Sequence, residues 1–136
     1  MRRFSCLGEH AAVWLALGAA GMALDPRGRA RWWRGTRTVA GSYALNTALK
    51  LVVRRRRPRV PGLPPLVRTP TELSFPSAHA TTGFTAARAF GPLLAPSALY
   101  ALAGGLALSR LYLGVHYPSD LLAGAALGSV IGGRAR

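Results

Sequence analysis

Acidic residues are nearly missing from this 136-residue chain: Glu9, Asp25, Glu72 and Asp120 are the only four. So thin a supply excludes a dense carboxylate cluster of the kind that holds magnesium or calcium. Lysine is scarcer still, with Lys50 alone beside 17 arginines, and the net charge is +14. The single cysteine, Cys6, excludes an internal disulfide. No internal repeat is present, and several of the apolar runs fall short of the roughly 20 residues that cross a bilayer comfortably.

What remains is apolar and basic. Half of the residues are hydrophobic and 16 are glycine, so the chain has the material for a core and the length for one domain, residues 1–136. The arginines fall in clusters, Arg27 to Arg37, Arg54 to Arg59, and Arg134 with Arg136, separated by long runs with almost no charge. Loops between membrane helices have this pattern. A nucleic-acid binder would spread its bases along one helix face or strand edge, so no nucleic-acid partner is expected.

Five apolar segments can be drawn, at about 8–24, 37–53, 78–91, 96–113 and 117–133. Ala and Leu content supports helix, and Asp25-Pro26, Pro58, Gly91-Pro92 and Pro118 punctuate the pattern. The expected fold is all-α: an integral membrane bundle of about five transmembrane helices. Residues 1–24 could pass for a signal peptide, with Arg2 and Arg3 before an apolar core, but the later apolar segments need neighbours and favour a retained first helix. Trp32 and Trp33, flanked by Arg31 and Arg34, have the composition of an interfacial anchor. Gly124, Gly128 and Gly132 recur every four residues and invite close approach of another helix, either within the chain or in a homo-oligomer. A proline-rich loop runs from about Arg57 to Ser74. With five helices, every polar motif lies at a helix end on one and the same membrane face.

Three motifs occupy those ends. In KLVVRRRRP, residues 50–58, Lys50 lies two helical turns before Arg57, with Arg54 on the same face and Pro58 ending the helix. Like charges so close repel unless an anion lies between them; the plain alternative is a basic flank that sets topology. In SFPSAHA, residues 74–80, a helix start offers free backbone N–H groups to an oxyanion, with His79 in the first turn. In SRLYLGVHYPSD, residues 109–120, His116 and Asp120 are four apart, so a helix from Tyr117 onward lets the carboxylate orient the imidazole. By composition, Arg110, His116 and Asp120 at this spacing arise in about one such chain in a hundred.

Read together as KxxxxxxRP, PSxH and SRxxxxxHxxxD, the motifs resemble the type 2 phosphatidic acid phosphatase family, which shares its site with vanadium haloperoxidases. The resemblance runs from Lys50 to Asp120. The text of TELSFPSAHATTGF and SRLYLGVHYPSDLLAG is also similar to small actinobacterial members that act on decaprenylphosphoryl-5-phosphoribose. The resemblance implies an enzyme of the bacterial plasma membrane that hydrolyses a lipid phosphate, with His116 as nucleophile, Asp120 as its orienting group and His79 as acid. Lys50, Arg57, Arg110, Ser77 and the Ala78 N–H would hold the phosphoryl oxygens, with no metal and no cofactor. Opposite starting protonation of His116 and His79 implies a bell-shaped pH profile. Ala78 stands where the family usually has glycine, and family members in membranes commonly have six helices where this chain has room for five. Arg68, Thr69, Thr71 and Glu72 are candidates for head-group selectivity by position. Undecaprenyl diphosphate, phosphatidylglycerol phosphate and phosphatidic acid are the alternative substrates. A non-catalytic protein that binds anionic lipid through its basic loops is the alternative of another class.

Overall fold

The computed structural model describes residues 11–59, 66–67 and 69–135. Residues 1–10, which hold Arg2, Arg3 and the start of the first apolar segment, lie outside the described residues, as does Arg68. Among the described residues five α-helices follow one another: α1 (Ala12–Leu24), α2 (Arg29–Val53), α3 (Ala78–Phe90), α4 (Pro96–Tyr112) and α5 (Pro118–Gly133). A single 3-10 turn, Gly91–Leu93, links α3 to α4. Among the described residues the only β-type pairing is an isolated bridge between Arg56 and Leu73. The all-α architecture expected from the sequence is present, and the apolar segments coincide with helices to within a few residues at most ends.

The short helix α3 is the centre of the molecule. Ten of its 13 residues are buried, because it packs against α2, α4 and α5 at once. A helix enclosed on all sides is expected to be apolar all round, yet α3 carries Thr81, Thr82 and Thr85. Each hydroxyl donates to the carbonyl four residues earlier: Thr81 to Ser77, Thr82 to Ala78 and Thr85 to Thr81. The threonines therefore enter the interior as small side chains with their polarity satisfied.

Gly124, Gly128 and Gly132 of α5 lie against the backbone of this central helix. A Cβ at Gly124 would sit 2.7 Å from the Ser77 carbonyl oxygen and one at Gly132 2.6 Å from that of Thr85, while one at Gly128 would overlap the Thr81 carbonyl. The stripe is thus consumed within the chain, and its use as a homo-oligomer contact is corrected: all three glycines are buried under α3.

Two further expectations change. Helix α2 begins at Arg29, eight residues before the apolar segment, because Asp25 organises the turn: its Oδ1 accepts the Gly28 N–H and its Oδ2 accepts the Trp32 Nε1–H. Trp32 is consequently buried, with its ring 5.2 Å from Phe90, and only Trp33 is exposed as an anchor would be. At its other end α2 stops at Val53 rather than at Pro58. Arg54 takes a left-handed conformation (φ 54°), and the chain turns back so that Ser74 N–H donates to the Arg55 carbonyl and Arg57 N–H to that of Glu72. Arg57 therefore reaches the site from this turned-back segment, not from the α2 face that carries Lys50.

No helix among the described residues is long and apolar enough to cross a membrane. α1, α3, α4 and α5 have 13 to 17 residues, at most about 26 Å, short of the roughly 30 Å of a hydrocarbon core. α2 has 25 residues, but four of its first nine are arginines. The expectation of membrane-spanning helices is not met by hydropathy and length alone.

Candidate active site

The polar helix ends named in the sequence converge. Lys50 in the last turn of α2, Arg57 in the following segment, Ala78 and His79 in the first turn of α3, Arg110 in the last turn of α4, and His116 just before α5 line one cavity of about 100 Å³. Tyr43, Asn46 and Thr47 of α2 and Pro70 and Thr71 of the loop complete its wall.

His116 is the best-defined member. Gly114, at φ +69°, turns the chain between α4 and α5 through the left-handed region that glycine tolerates, which brings His116 back beneath α5. Its Nδ1 lies 3.3 Å from Asp120 Oδ2, and its Nε2 lies 3.2 Å from an Arg57 NH1 group. A carboxylate only accepts and a guanidinium only donates, so the proton belongs on Nδ1 and the lone pair on Nε2. Burial, reinforced by Arg57, Lys50 and Arg110, outweighs the Asp120 hydrogen bond and pushes the imidazole down to about 4. His116 is therefore neutral throughout the physiological range, with the lone pair of Nε2 accepting from Arg57 at the cavity wall.

Asp120 is fully buried and has its oxygens divided. Oδ2 takes His116 and the Tyr117 N–H at 2.9 Å, which also caps α5, and Oδ1 takes Arg55 at 3.0 Å. Arg55 also donates to Ser119 Oγ at 2.7 Å and lies over the Tyr117 ring, 4.0 Å from its centroid. Nothing in RRRR singles out Arg55; only the turn after Arg54 aims it at Asp120.

Two of the cations are held by backbone carbonyls. Lys50 Nζ donates to the Leu73 and Ser74 carbonyls at 3.2 and 3.1 Å. Arg57 donates through Nε to Thr71 O at 2.9 Å and through NH1 to Val115 O at 2.8 Å. Burial and the neighbouring Arg110 lower the Arg57 guanidinium to about 10, a sign that positive charge is crowded here. Such crowding around a void is the arrangement that receives an anion.

Ser77 behaves differently from the other expected site residues. Fully buried at the N-cap of α3, its Oγ accepts the Ala80 N–H at 3.5 Å and its N–H donates to the Asp120 carbonyl, so it lies behind the cavity and joins α3 to α5. Of the proposed head-group residues, Thr71 reaches the cavity, while Glu72 pairs with Arg59 at 3.1 Å on the surface. Sequence reasoning missed Tyr43, Asn46 and Thr47. Counting back from Lys50 by three, four and seven would have found them as a polar stripe on an otherwise apolar segment. Asn46 is buried, and its Nδ2 donates to Pro76 O and Thr81 Oγ1, which binds α2 to the start of α3.

Comparisons with known proteins point to one family. The PAP2 superfamily pattern matches residues 32–135. The chain is similar to the decaprenylphosphoryl-5-phosphoribose phosphatase of Mycobacterium tuberculosis, 41% identical over 96% of this chain and 74% of the relative. It is also similar to the protein of that name from Mycolicibacterium smegmatis, 43% identical over 90% of this chain and 68% of the relative. Among solved structures, a transmembrane PAP2 type phosphatidylglycerolphosphate phosphatase from Bacillus subtilis superposes with a TM-score of 0.75 at 26% identity, over 99% of this chain and 72% of that one.

Proposed function

The chain belongs to the PAP2 superfamily of phosphoric ester hydrolases, and from that premise we propose that it is a membrane lipid phosphatase acting through a phosphohistidine on His116. The observation that carries the mechanism is the clamping of His116 between Asp120 and Arg57, at the wall of a cavity whose other charged lining is cationic.

In the proposed reaction Lys50, Arg57 and Arg110 bind the non-bridging oxygens of a phosphate monoester, with the Ala78 N–H at the positive end of α3. As Arg57 NH1 passes from His116 Nε2 to a phosphoryl oxygen, the freed Nε2 lone pair attacks phosphorus, a P–N bond forms, and the P–O bond to the alcohol breaks. His79 gives its proton to the leaving oxygen. Asp120 stabilises the positive charge that appears on the imidazole, and the three cations stabilise the charge on the equatorial oxygens. A water then attacks the phosphohistidine, His79 takes up its proton, and inorganic phosphate leaves. The cations perform the charge neutralisation for which other phosphatases use metal ions, so activity is expected in excess chelator.

A polyprenyl-linked phosphosugar such as decaprenylphosphoryl-5-phosphoribose is the substrate favoured by the relatives. The wall supports it: beside the cations stand the hydrogen-bonding side chains of Tyr43, Asn46, Thr47 and Thr71, suited to sugar hydroxyls. A site at helix ends lets the lipid tail stay in a bilayer while the phosphate reaches the cations. The decisive experiment measures phosphate release from a polyprenyl phosphosugar, undecaprenyl diphosphate and phosphatidic acid, by purified wild type and His116→Ala, in detergent with EDTA. Release by wild type alone, fastest from the phosphosugar, is expected. Equal release by both proteins would refute the phosphohistidine, and preference for either other lipid would refute the substrate.

A further inference from the structure

The end of the molecule remote from His116 has a second cavity, of about 270 Å³, lined by Arg31, Arg34, Ala89, Pro92, Leu93 and Ala135. It is built where α2 begins, α3 ends and α5 ends. Arg31 and Arg34 lie three apart on α2, on one face, and are exposed. Arg27, Arg29, Arg88 and Arg134 are exposed around the same end. Among the described residues the only carboxylate there is Asp25, whose two oxygens are engaged by the Gly28 N–H and the Trp32 indole.

This placement is electrostatically unfavourable as it stands. The first turn of α2 contains no acidic residue, and its arginines sit at the positive end of the helix dipole, where anions are favoured and cations are not. The elements that meet at this end also expose large apolar side chains: Leu24 at the end of α1 is 84% exposed, Trp33 in α2 52% and Leu94 after α3 41%. An aromatic and aliphatic rim beside arginines is the composition of a polar–apolar boundary, and the cavity itself pairs two guanidinium groups with the apolar Pro92, Leu93 and Ala89.

We propose that this cavity binds the phosphodiester head group of an anionic phospholipid, held by Arg31 and Arg34, with the first carbons of its chains against Leu93 and the exposed rim. The proposal rests on the membrane assignment above, but not on the phosphatase chemistry. It gives the arginine-rich end a function separate from catalysis, as a docking point for a structural lipid in the leaflet facing away from the active site. A lipid fits better than a free anion because four of the six residues that line the cavity, Ala89, Pro92, Leu93 and Ala135, are apolar, and only Arg31 and Arg34 are charged.

The test uses the purified full chain in detergent micelles doped with phosphatidylglycerol or phosphatidylcholine, with inorganic phosphate present to fill the catalytic cavity. Retained lipid is counted by native mass spectrometry. Wild type should retain phosphatidylglycerol over phosphatidylcholine, and Arg31→Gln/Arg34→Gln should reduce that retention roughly ten-fold or more, the scale of two arginines at an anionic surface. Arg54→Gln/Arg56→Gln, at the catalytic end, should retain the lipid. Phosphate release by Arg31→Gln/Arg34→Gln should match wild type, which also reports that it is folded. Equal retention by the double variant, equal retention of the two lipids, or stripping of the lipid by inorganic phosphate in place of the substitutions would overturn the proposal. Retention that follows Arg31 and Arg34 in a protein that releases no phosphate would support this site while refuting the phosphatase.

Discussion

The two ends of the bundle use arginine in opposite ways. At the end that holds His116, cations point inward and are fixed by protein carbonyls: Lys50 by Leu73 and Ser74, Arg57 by Thr71 and Val115. At the other end Arg31 and Arg34 stand exposed beside an apolar rim. Composition does not separate these ends; backbone does. After α2 the chain turns back on itself and supplies acceptors that draw the charges in, whereas before α2 the short turn at Asp25 leaves them on the surface.

Substitution should expose this contrast most strongly in turnover. Arg57→Ala is expected to lower kcat/KM roughly 10²- to 10³-fold, because it removes a donor aimed at developing charge, while Arg34→Ala stays within about two-fold. Steady-state phosphate release on one substrate measures both, and similar losses would break the distinction between the ends.

Acid should come next. His116 holds a folded value of about 4 against an ordinary 6.5, so the unfolded chain takes up the proton first as pH falls. Its contribution to stability is complete above about pH 6.5 and is lost as pH falls toward 4, by up to about 3 kcal/mol. Thermal unfolding of wild type across this window should show the loss, and His116→Ala should flatten it. The same shift places the acid side of the activity profile near pH 4.

A smaller contrast concerns glycine. Gly128→Val forces a side chain into the Thr81 carbonyl and should destabilise by about 1–3 kcal/mol in equilibrium unfolding. Gly41→Ala, in mid-helix with nothing within 4 Å of its added methyl, should stabilise by about 0.5–1 kcal/mol. The smallest expected effect sharpens the role of Arg55. Without its charge Asp120 holds the His116 proton more tightly, so Arg55→Ala should move the acid limb of kcat/KM upward by roughly one pH unit or less, and Arg55→Lys should restore most of it. An unmoved limb would make Arg55 a structural tie only.

Much of this was legible in the sequence because the chemistry sits at helix ends marked by local signals. Pro118 and the four-residue spacing gave the His116–Asp120 pair, and Ser77 gave the start of α3. What failed depended on tertiary structure. Local signals end α2 at Pro58, since nothing local announces a left-handed Arg54. Trp32 has the composition of an anchor because the bond from its indole to Asp25, across the turn, is invisible to composition. Tyr43, Asn46 and Thr47 were passed over because a polar stripe acquires meaning only when the opposite wall is known.

The glycine stripe of α5 has a metrological consequence. His79 is carried by α3, while His116 and Asp120 belong to the start of α5, and the two helices touch backbone to backbone from Gly124 to Gly132. The gauge between the two histidines is thus the closest approach of two peptide chains, a length set by atomic radii. Side-chain packing elsewhere can be retuned without changing that ruler; a single methyl on the stripe recalibrates it.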